Sequence, residues 1–356
     1  MPQRVQALIW QTNEMGIKKT SIQTIAAATN SPRPTLKTIA EITNLGTTTV
    51  SRALKDAPEI GEKTKARVKH VAEQLGYTPN RAGVGLRTGR TNVINLVLSL
   101  DDEIMAITSL LVRGLSEALS TTPYHLVVTP YALHNSPLDR IRYIVETRSA
   151  DGIILSRIEP NDSRVEYLVK HKIPFATHGR TEMGIEHPYH DFDNYRYVYE
   201  GVKHLYEKSR SHIALLAPPD TLTFFHHAMA GYQRGLSDCG LKPYRKLRFC
   251  IGDTLDTIEN LSEKLFRSKN RPDAIISMSG GSTIALCSGI ENAGLTVGKE
   301  VDIISKQTVN ILPRFRSEIA TVHEDIRLAG NELARQVVSS IENTPNNKMQ
   351  SVVYPE

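Results

Sequence analysis

Thr47, Thr48, Thr49, Ser51 and Arg52 lie within one short stretch, and a helical period turns Thr47, Thr48, Ser51 and Arg52 away from the apolar Val50, Ala53 and Leu54. A small, hydroxylated helix face with one guanidinium suits a DNA major groove. Arginine matches guanine O6 and N7, and threonine can bond a base edge or touch a thymine methyl. A second group is scattered along the chain. Asp101, Asp102, Arg157, His178, Arg180, Phe224, Lys306 and Gln307 fall just past apolar, strand-like runs. His190, Asp191, His226 and His227 lie in loops expected to approach the same crevice. Charged and amide groups around an aromatic face suit a hydroxylated ligand such as a sugar or sugar phosphate, with a small polyol or nucleoside as alternatives.

Other chemistry finds little support. His187-x-x-His190 and His226-His227 have no accompanying thiolate and no HExxH helix, so no metal site is expected. No cofactor motif and no convergent nucleophile or acid–base pair appears, which argues against an enzyme. Gly280-Gly281-Ser282 resembles a phosphate cradle but lacks the P-loop lysine, and it is read as a tight strand-to-helix turn capped by Ser282. Cys239, Cys250 and Cys287 show no paired spacing, which fits a reducing cytoplasm. No apolar run approaches a membrane span, and residues 1–30 lack the apolar core of a signal peptide.

The elements that must position these residues are legible in the same pattern. Leu36, Ile39, Ala40 and Thr43 share one helix face, and Asn44 tolerates the left-handed turn that follows. Gly46 caps a second helix over 47–54. A third, about 62–75, contributes Val68, Val71, Ala72 and Leu75 and ends at Gly76. Together they predict an all-α helix-turn-helix over 34–76. From 91 onward the texture is α/β. Strands are expected at 93–99, 124–129, 152–155, 173–177, 212–217, 247–251, 274–278 and 301–305, with helices between them and a last helix about 324–341. Two such sets imply two lobes of parallel sheet with a ligand between them, at the carboxyl ends of the strands.

The runs TLKTIA at 35–40, TVSRAL at 49–54, TKARV at 64–68 and LGYTPNRA at 75–82 closely resemble the lactose-repressor (LacI/GalR) family of bacterial transcription regulators. The resemblance implies a ligand-responsive repressor of carbohydrate uptake or catabolism genes. It would be cytoplasmic and nucleoid-associated, binding a palindromic operator as a homodimer under control of a small sugar-like effector. A non-sugar metabolite such as a nucleoside is the alternative effector; a solute-binding protein or an enzyme is the alternative class. The implied core is periplasmic-binding-protein-like over 91–356, with lobe one at about 91–192 plus 318–342 and lobe two at about 193–307 plus the C-terminal strand. The DNA-binding set becomes Thr47, Thr48, Thr49, Ser51, Arg52, Tyr77, Asn80, Arg81 and Leu86. The family's hinge, here 77–90, folds on the operator and wedges a leucine into the minor groove; Leu86 holds that position. Where the family often has an effector-binding arginine, this chain has Ala228. Its usual Asn-Asp is replaced by Ser279-Gly280-Gly281-Ser282, and its Gly-Phe-Asp by Ser305-Lys306-Gln307. A particular effector therefore does not carry over.

Charge is segregated. Residues 34–90 hold ten Lys/Arg against five Asp/Glu, and residues 1–33 hold four against one. The net charge of +5 therefore leaves −3 on the remainder, the distribution of a nucleic-acid reader attached to a separate body. Residues 1–33 are expected to be a flexible basic extension. Ser21–Asn30 echoes Thr35–Asn44, yet Pro32 and Pro34 follow where a recognition helix would be needed.

Gly83 and Gly85 sit inside the hinge, each costing about 1 kcal/mol of helix propensity against alanine. Gly85→Ala is expected to tighten operator binding severalfold and to weaken the response to effector, as measured by operator affinity with and without the ligand. Weaker binding would show that the glycine serves close contact instead.

Overall fold

The computed structural model describes residues 34–78, 89–99, 104–131, 136–344 and 349–354. Residues 1–33, Asn80, Arg81, Gly83, Gly85, Leu86, Asp101 and Asp102, singled out above, lie outside that set. The chain divides into two units, Met1–Thr91 and Asn92–Glu356, each described by itself.

In the first unit, α1 (Leu36–Thr43), α2 (Thr47–Ala53) and α3 (Glu62–Gln74) enclose Ile39, Ile42, Val50, Ala53 and Val68. Thr35 and Thr38 cap α1 reciprocally. Thr35 Oγ1 accepts from the Thr38 amide at 3.3 Å, and Thr38 Oγ1 accepts from the Thr35 amide at 3.2 Å. This is a capping box with threonine in place of the usual Glu or Gln. Asn44 turns the chain at φ 53°, and the Leu45 amide donates to the Ala40 carbonyl at 3.0 Å. Gly76 ends α3 at φ 61°, letting the Tyr77 amide donate to the Ala72 carbonyl at 2.8 Å.

The strands of the second unit are β1 (Val93–Ser99), β2 (His125–Tyr131), β3 (Gly152–Leu155), β4 (Phe175–His178), β5 (Tyr189–Phe192), β6 (Ile213–Leu216), β7 (Ala274–Ser277), β8 (Asp302–Gln307), β9 (Ala320–His323) and β10 (Gln350–Val353). Its helices are α4 (Ile104–Leu119), α5 (Pro137–Glu146), α6 (Ser163–Lys170), α7 (Asn194–Glu207), α8 (Thr223–Asp238), α9 (Leu255–Phe266), α10 (Gly280–Asn292), the one-turn α11 (Leu312–Phe315) and α12 (Ile326–Glu342). Two parallel sheets result, ordered β10-β5-β4-β3-β1-β2 in lobe one and β6-β7-β8-β9 in lobe two. Strands β3, β6 and β7 are buried throughout, as parallel strands covered by helices on both faces must be. The chain passes from lobe one to lobe two at Asp193 and returns at Glu324–Asp325; Asp193 and Asp325 each cap the helix that follows. The expected class, a helix-turn-helix followed by two parallel α/β lobes, is the class observed.

Four expectations are corrected. The C-terminal strand belongs to lobe one, because β10 pairs with β5, and residues 320–323 belong to lobe two, because β9 pairs with β8. Residues 247–251 form no strand: Leu247, Phe249 and Ile251 are buried in alternation, but a single backbone bond, from the Ile251 amide to the Ala217 carbonyl, joins them to the end of β6. The cap of α10 is Ser279, whose hydroxyl accepts from the Ser282 amide at 3.2 Å, so Ser282 lies inside the helix.

Helices α4 and α12 meet backbone to backbone. A Cβ on Gly114 would stand 2.0 Å from the Arg327 carbonyl oxygen, and one on Gly330 would stand 2.5 Å from that of Leu111. Gly114→Ala must therefore push the helices apart, and it is expected to lower unfolding free energy by about 1–3 kcal/mol. A urea titration reads this; an unchanged midpoint would show that the helices part freely.

Candidate nucleic-acid interface and effector cleft

On α2, Val50 and Ala53 anchor the helix in the core, which fixes the opposite face outward. Thr47, Thr48 and Arg52 are exposed, and Thr49 and Ser51 are half-buried. Arg52 reaches Glu59 at 3.4 Å, a solvent-exposed pair worth roughly 0–1 kcal/mol that a guanine edge can displace. Tyr77 packs against the core of this unit, and burial pushes its hydroxyl pKa up.

The second site is a cavity of about 460 Å³ lined by the ends of β4, β5 and β8 and by the residues that follow β3, β6 and β7. Arg157, His178, Arg180, Asp191, Phe224, His227, Lys306 and Gln307 all line it. His190 does not: its ring is held in the sheet, with Nδ1 2.8 Å from Ser351 Oγ on β10. The amide of Gln307 is committed to the following loop, donating to Asn310 at 3.2 Å and accepting from the Leu312 amide at 3.3 Å. Ala228 is fully buried in the lobe-two core.

Lys306 is the centre of the lining. Its Nζ donates to Glu324 Oε2 at 2.6 Å and to Asn194 Oδ1 at 3.0 Å, and lies 5.0 Å and 5.6 Å from the ring centroids of Phe192 and Phe224. Burial presses the Glu324 carboxyl pKa upward, but Lys306 and His178 outweigh it and hold it below the usual value. Glu324 Oε1 is 3.8 Å from His178 Nε2, too far for a hydrogen bond. Sequence reasoning missed Glu324 and Asn194: both sit on the lobe crossovers, and the short strands before them, β9 and β5, were not expected.

Asp191 is also buried. Its Oδ1 accepts from the Phe192 amide at 2.9 Å; Oδ2 is 3.1 Å from Arg180 Nε but out of hydrogen-bond alignment, and it has no hydrogen-bond partner among the described residues. Burial raises its pKa to about 7 against the pull of Arg180. Burial lowers His190 to about 4, and it also lowers His178 and His227. The Nδ1 of His227 is a second buried atom without a hydrogen-bond partner among the described residues. Both orphans belong to side chains whose other atoms line the cavity.

Catalytic geometry is not assembled here. Ser211, His212 and Asp273 lie together, but the same His212 Nδ1 faces Ser211 Oγ at 3.1 Å and Asp273 at 3.8 Å, whereas a relay uses both ring nitrogens. Among the described residues there is no group of three or more His, Cys, Asp or Glu placed to hold a metal. Nor is any described helix long and apolar enough to cross a membrane.

Residues 35–80 match the family model described as bacterial regulatory proteins, lacI family, and residues 202–356 match that of the periplasmic binding protein-like domain. The HTH-type transcriptional regulator AglR of Rhizobium meliloti (strain 1021) is 29% identical over 318 residues, covering 86% of this chain and 88% of that protein. CelR of Thermobifida fusca is 26% identical over 319 residues, covering 87% and 92%. Among solved structures, the lac repressor dimer bound to operator and the anti-inducer ONPF superimposes with a TM-score of 0.79 at 17% identity, covering 91% of this chain and 97% of that one. A transcriptional regulator CelR–cellobiose complex gives 0.66 at 23%, covering 91% and 98%. These two structures bear on the fold alone.

Two predictions follow from the cleft's charges. Lys306→Ala strands the Glu324 carboxylate in a buried site, with an expected cost of about 3–5 kcal/mol, and Lys306→Met with Glu324→Gln is expected to recover most of it. Urea unfolding compares them, and equal losses would show that packing matters more than charge. Asp191 keeps its proton in the folded protein up to about pH 7, so its stabilising term is lost as pH rises toward that value; His190 stays neutral down to about pH 4, so its term is lost as pH falls. Between these values the two slopes oppose. Asp191→Asn removes one, and stability of the variant is expected to climb more steeply with pH than that of the parent, by up to about 1.4 kcal/mol per pH unit. Parallel pH–stability curves would show that Asp191 is ionised in the fold.

Proposed function

This chain belongs to the lacI family of bacterial regulatory proteins and carries a periplasmic binding protein-like domain; from that premise we propose that it is a ligand-responsive repressor of carbohydrate uptake or catabolism genes. It is a transcriptional regulator and not an enzyme. The carrying observation is the cleft. Its central buried charge is matched, Lys306 with Glu324, and Arg180 lies against Asp191, a carboxyl that burial keeps protonated up to about pH 7, while His178, His227 and Phe224 complete the lining. That lining favours an uncharged, hydroxyl-rich effector, and it shifts the sequence-based expectation away from a sugar phosphate, because Lys306 already has its counter-ion. A solved neighbour of the same fold, a transcriptional regulator CelR, carries cellobiose, and a saccharide is in keeping with that.

In this reading Thr47, Thr48, Thr49, Ser51 and Arg52 face the operator, and the protein acts at the bacterial nucleoid as a homodimer on a palindromic site, one recognition helix per half-site. The edge strand β2 supports self-association: Val127 and Val128 are 42 % and 40 % exposed there. Thermal-shift screening against neutral sugars, sugar phosphates and nucleosides tests the effector class, since a ligand that binds the native state raises the melting temperature. A hit must then change operator affinity. A response to sugar phosphates or nucleosides alone would overturn the neutral-sugar reading.

Arg52→Ala is expected to weaken operator binding by about 1–3 kcal/mol per half-site and to relax preference at one base pair. Fluorescence anisotropy across single-base operator variants measures both effects. An unchanged ranking of variants would make Arg52 a phosphate contact only.

A further inference from the structure

The alternating segment after α8 carries charge that neither the cleft nor the helix-turn-helix uses. Residues 242–248 hold four Lys/Arg, residues 267–271 hold three, and neither run contains an Asp or Glu, although residues 91–356 together carry −3. All seven of these side chains are exposed. Tyr244 Oη donates to the Asn270 carbonyl, which brings the two runs together. Among the described residues only Lys246 and Arg267 have carboxylate partners, Asp220 at 2.8 Å and Glu263 at 2.7 Å; Lys242, Arg245, Arg248, Lys269 and Arg271 have none. The backbone of the same strap is also uncommitted. Leu247 and Phe249 face the lobe-two core while Lys246 and Arg248 face outward, the alternation of a strand. The Ile251 amide holds the strap to the end of β6, the terminal strand of its sheet. From Arg245 to Phe249 no backbone amide or carbonyl has a hydrogen-bond partner among the described residues.

We infer that this strap is a docking site for an extended acidic segment of another protein, which adds to it as a strand. Such a segment meets both halves of the surface. Its amides and carbonyls pair with those of the strap, and its carboxylates reach Arg245, Arg248 and the neighbouring Lys269 and Arg271. Duplex DNA fits less well: phosphates only accept hydrogen bonds, so they leave the strap carbonyls without donors. A second copy of the strap is disfavoured by charge, since edge pairing would set cation against cation. The site is separate from the effector cleft, because no residue from 242 to 250 lines the cavity. The chain nevertheless runs from the strap straight into the cavity wall at Ile251, Gly252 and Asp253. A docked segment and a bound effector therefore act on one continuous stretch of lobe two.

Fluorescence anisotropy on the full-length protein tests this with a labelled short peptide of alternating Glu and Val, its counterpart N-methylated at every second residue, and a random-sequence DNA duplex. The peptide is expected to bind, more weakly as salt is raised. Arg245→Glu with Arg248→Glu is expected to weaken it about tenfold or more while leaving duplex affinity unchanged. N-methylation removes amide donors and blocks strand pairing, and it is expected to abolish binding. If the charge reversal lowers the melting temperature, Arg245→Gln with Arg248→Gln takes its place. A parent protein that does not bind the peptide, or a variant that binds it as tightly as the parent, would overturn the inference. A fall in duplex affinity alongside peptide affinity would overturn it too, making the patch a nucleic-acid surface. So would undiminished binding of the N-methylated peptide, which would reduce the site to diffuse charge attraction.

Discussion

Lys306 and Glu324 place opposite charges 2.6 Å apart with both side chains about nine-tenths buried, and the pair ties lobe two to the segment that returns to lobe one. Each ion gives up several kcal/mol of hydration on burial, and only close geometry with further polar partners offsets that loss. The partners are specific. Asn194, just past the first lobe crossing, accepts from Lys306, and Glu324 itself stands on the second crossing. One ammonium on lobe two thus joins both segments that connect the lobes, while the rings of Phe192 and Phe224 flank it. A ligand that enters this cleft meets a lysine whose charge Glu324 already satisfies.

The helix-turn-helix was the most legible part of the chain because its signals are local. The one-turn spacing of Ile39, Ala40 and Thr43, the left-handed Asn44 and the terminal Gly76 each determine structure within a few residues, and the observed helices end within one residue of expectation. Strand β5 was illegible for the opposite reason. Its Tyr-His-Asp-Phe carries no apolar run, and its edge partner β10 comes from the far end of the chain. The alternating 247–251 segment misled because alternation reports burial on one side, and burial does not require a hydrogen-bonded neighbour.

The cleft was partly legible. Placing side chains just past strand ends found most of the charged lining, since parallel sheets gather those ends at one crevice. It could not show that Lys306 has a counter-ion, because Glu324 follows a short strand, β9, whose lobe becomes evident only with the pairing to β8. Nor could it separate His190 from His178. The two are register partners on neighbouring strands, yet one faces the cavity and the other is tied to Ser351.

The glycine contact between α4 and α12 has a mechanical side. Helix α12 begins directly after Glu324, so it is the first rigid body downstream of the cleft's central ion pair. Where side chains interdigitate, a small push can be absorbed by rotamer changes. Between Gly114 and Gly330 there are no side chains to rearrange, and backbone lies on backbone. At that crossing the two helices are locked backbone to backbone, so α4 and α12 are bound to shift together rather than slide past one another.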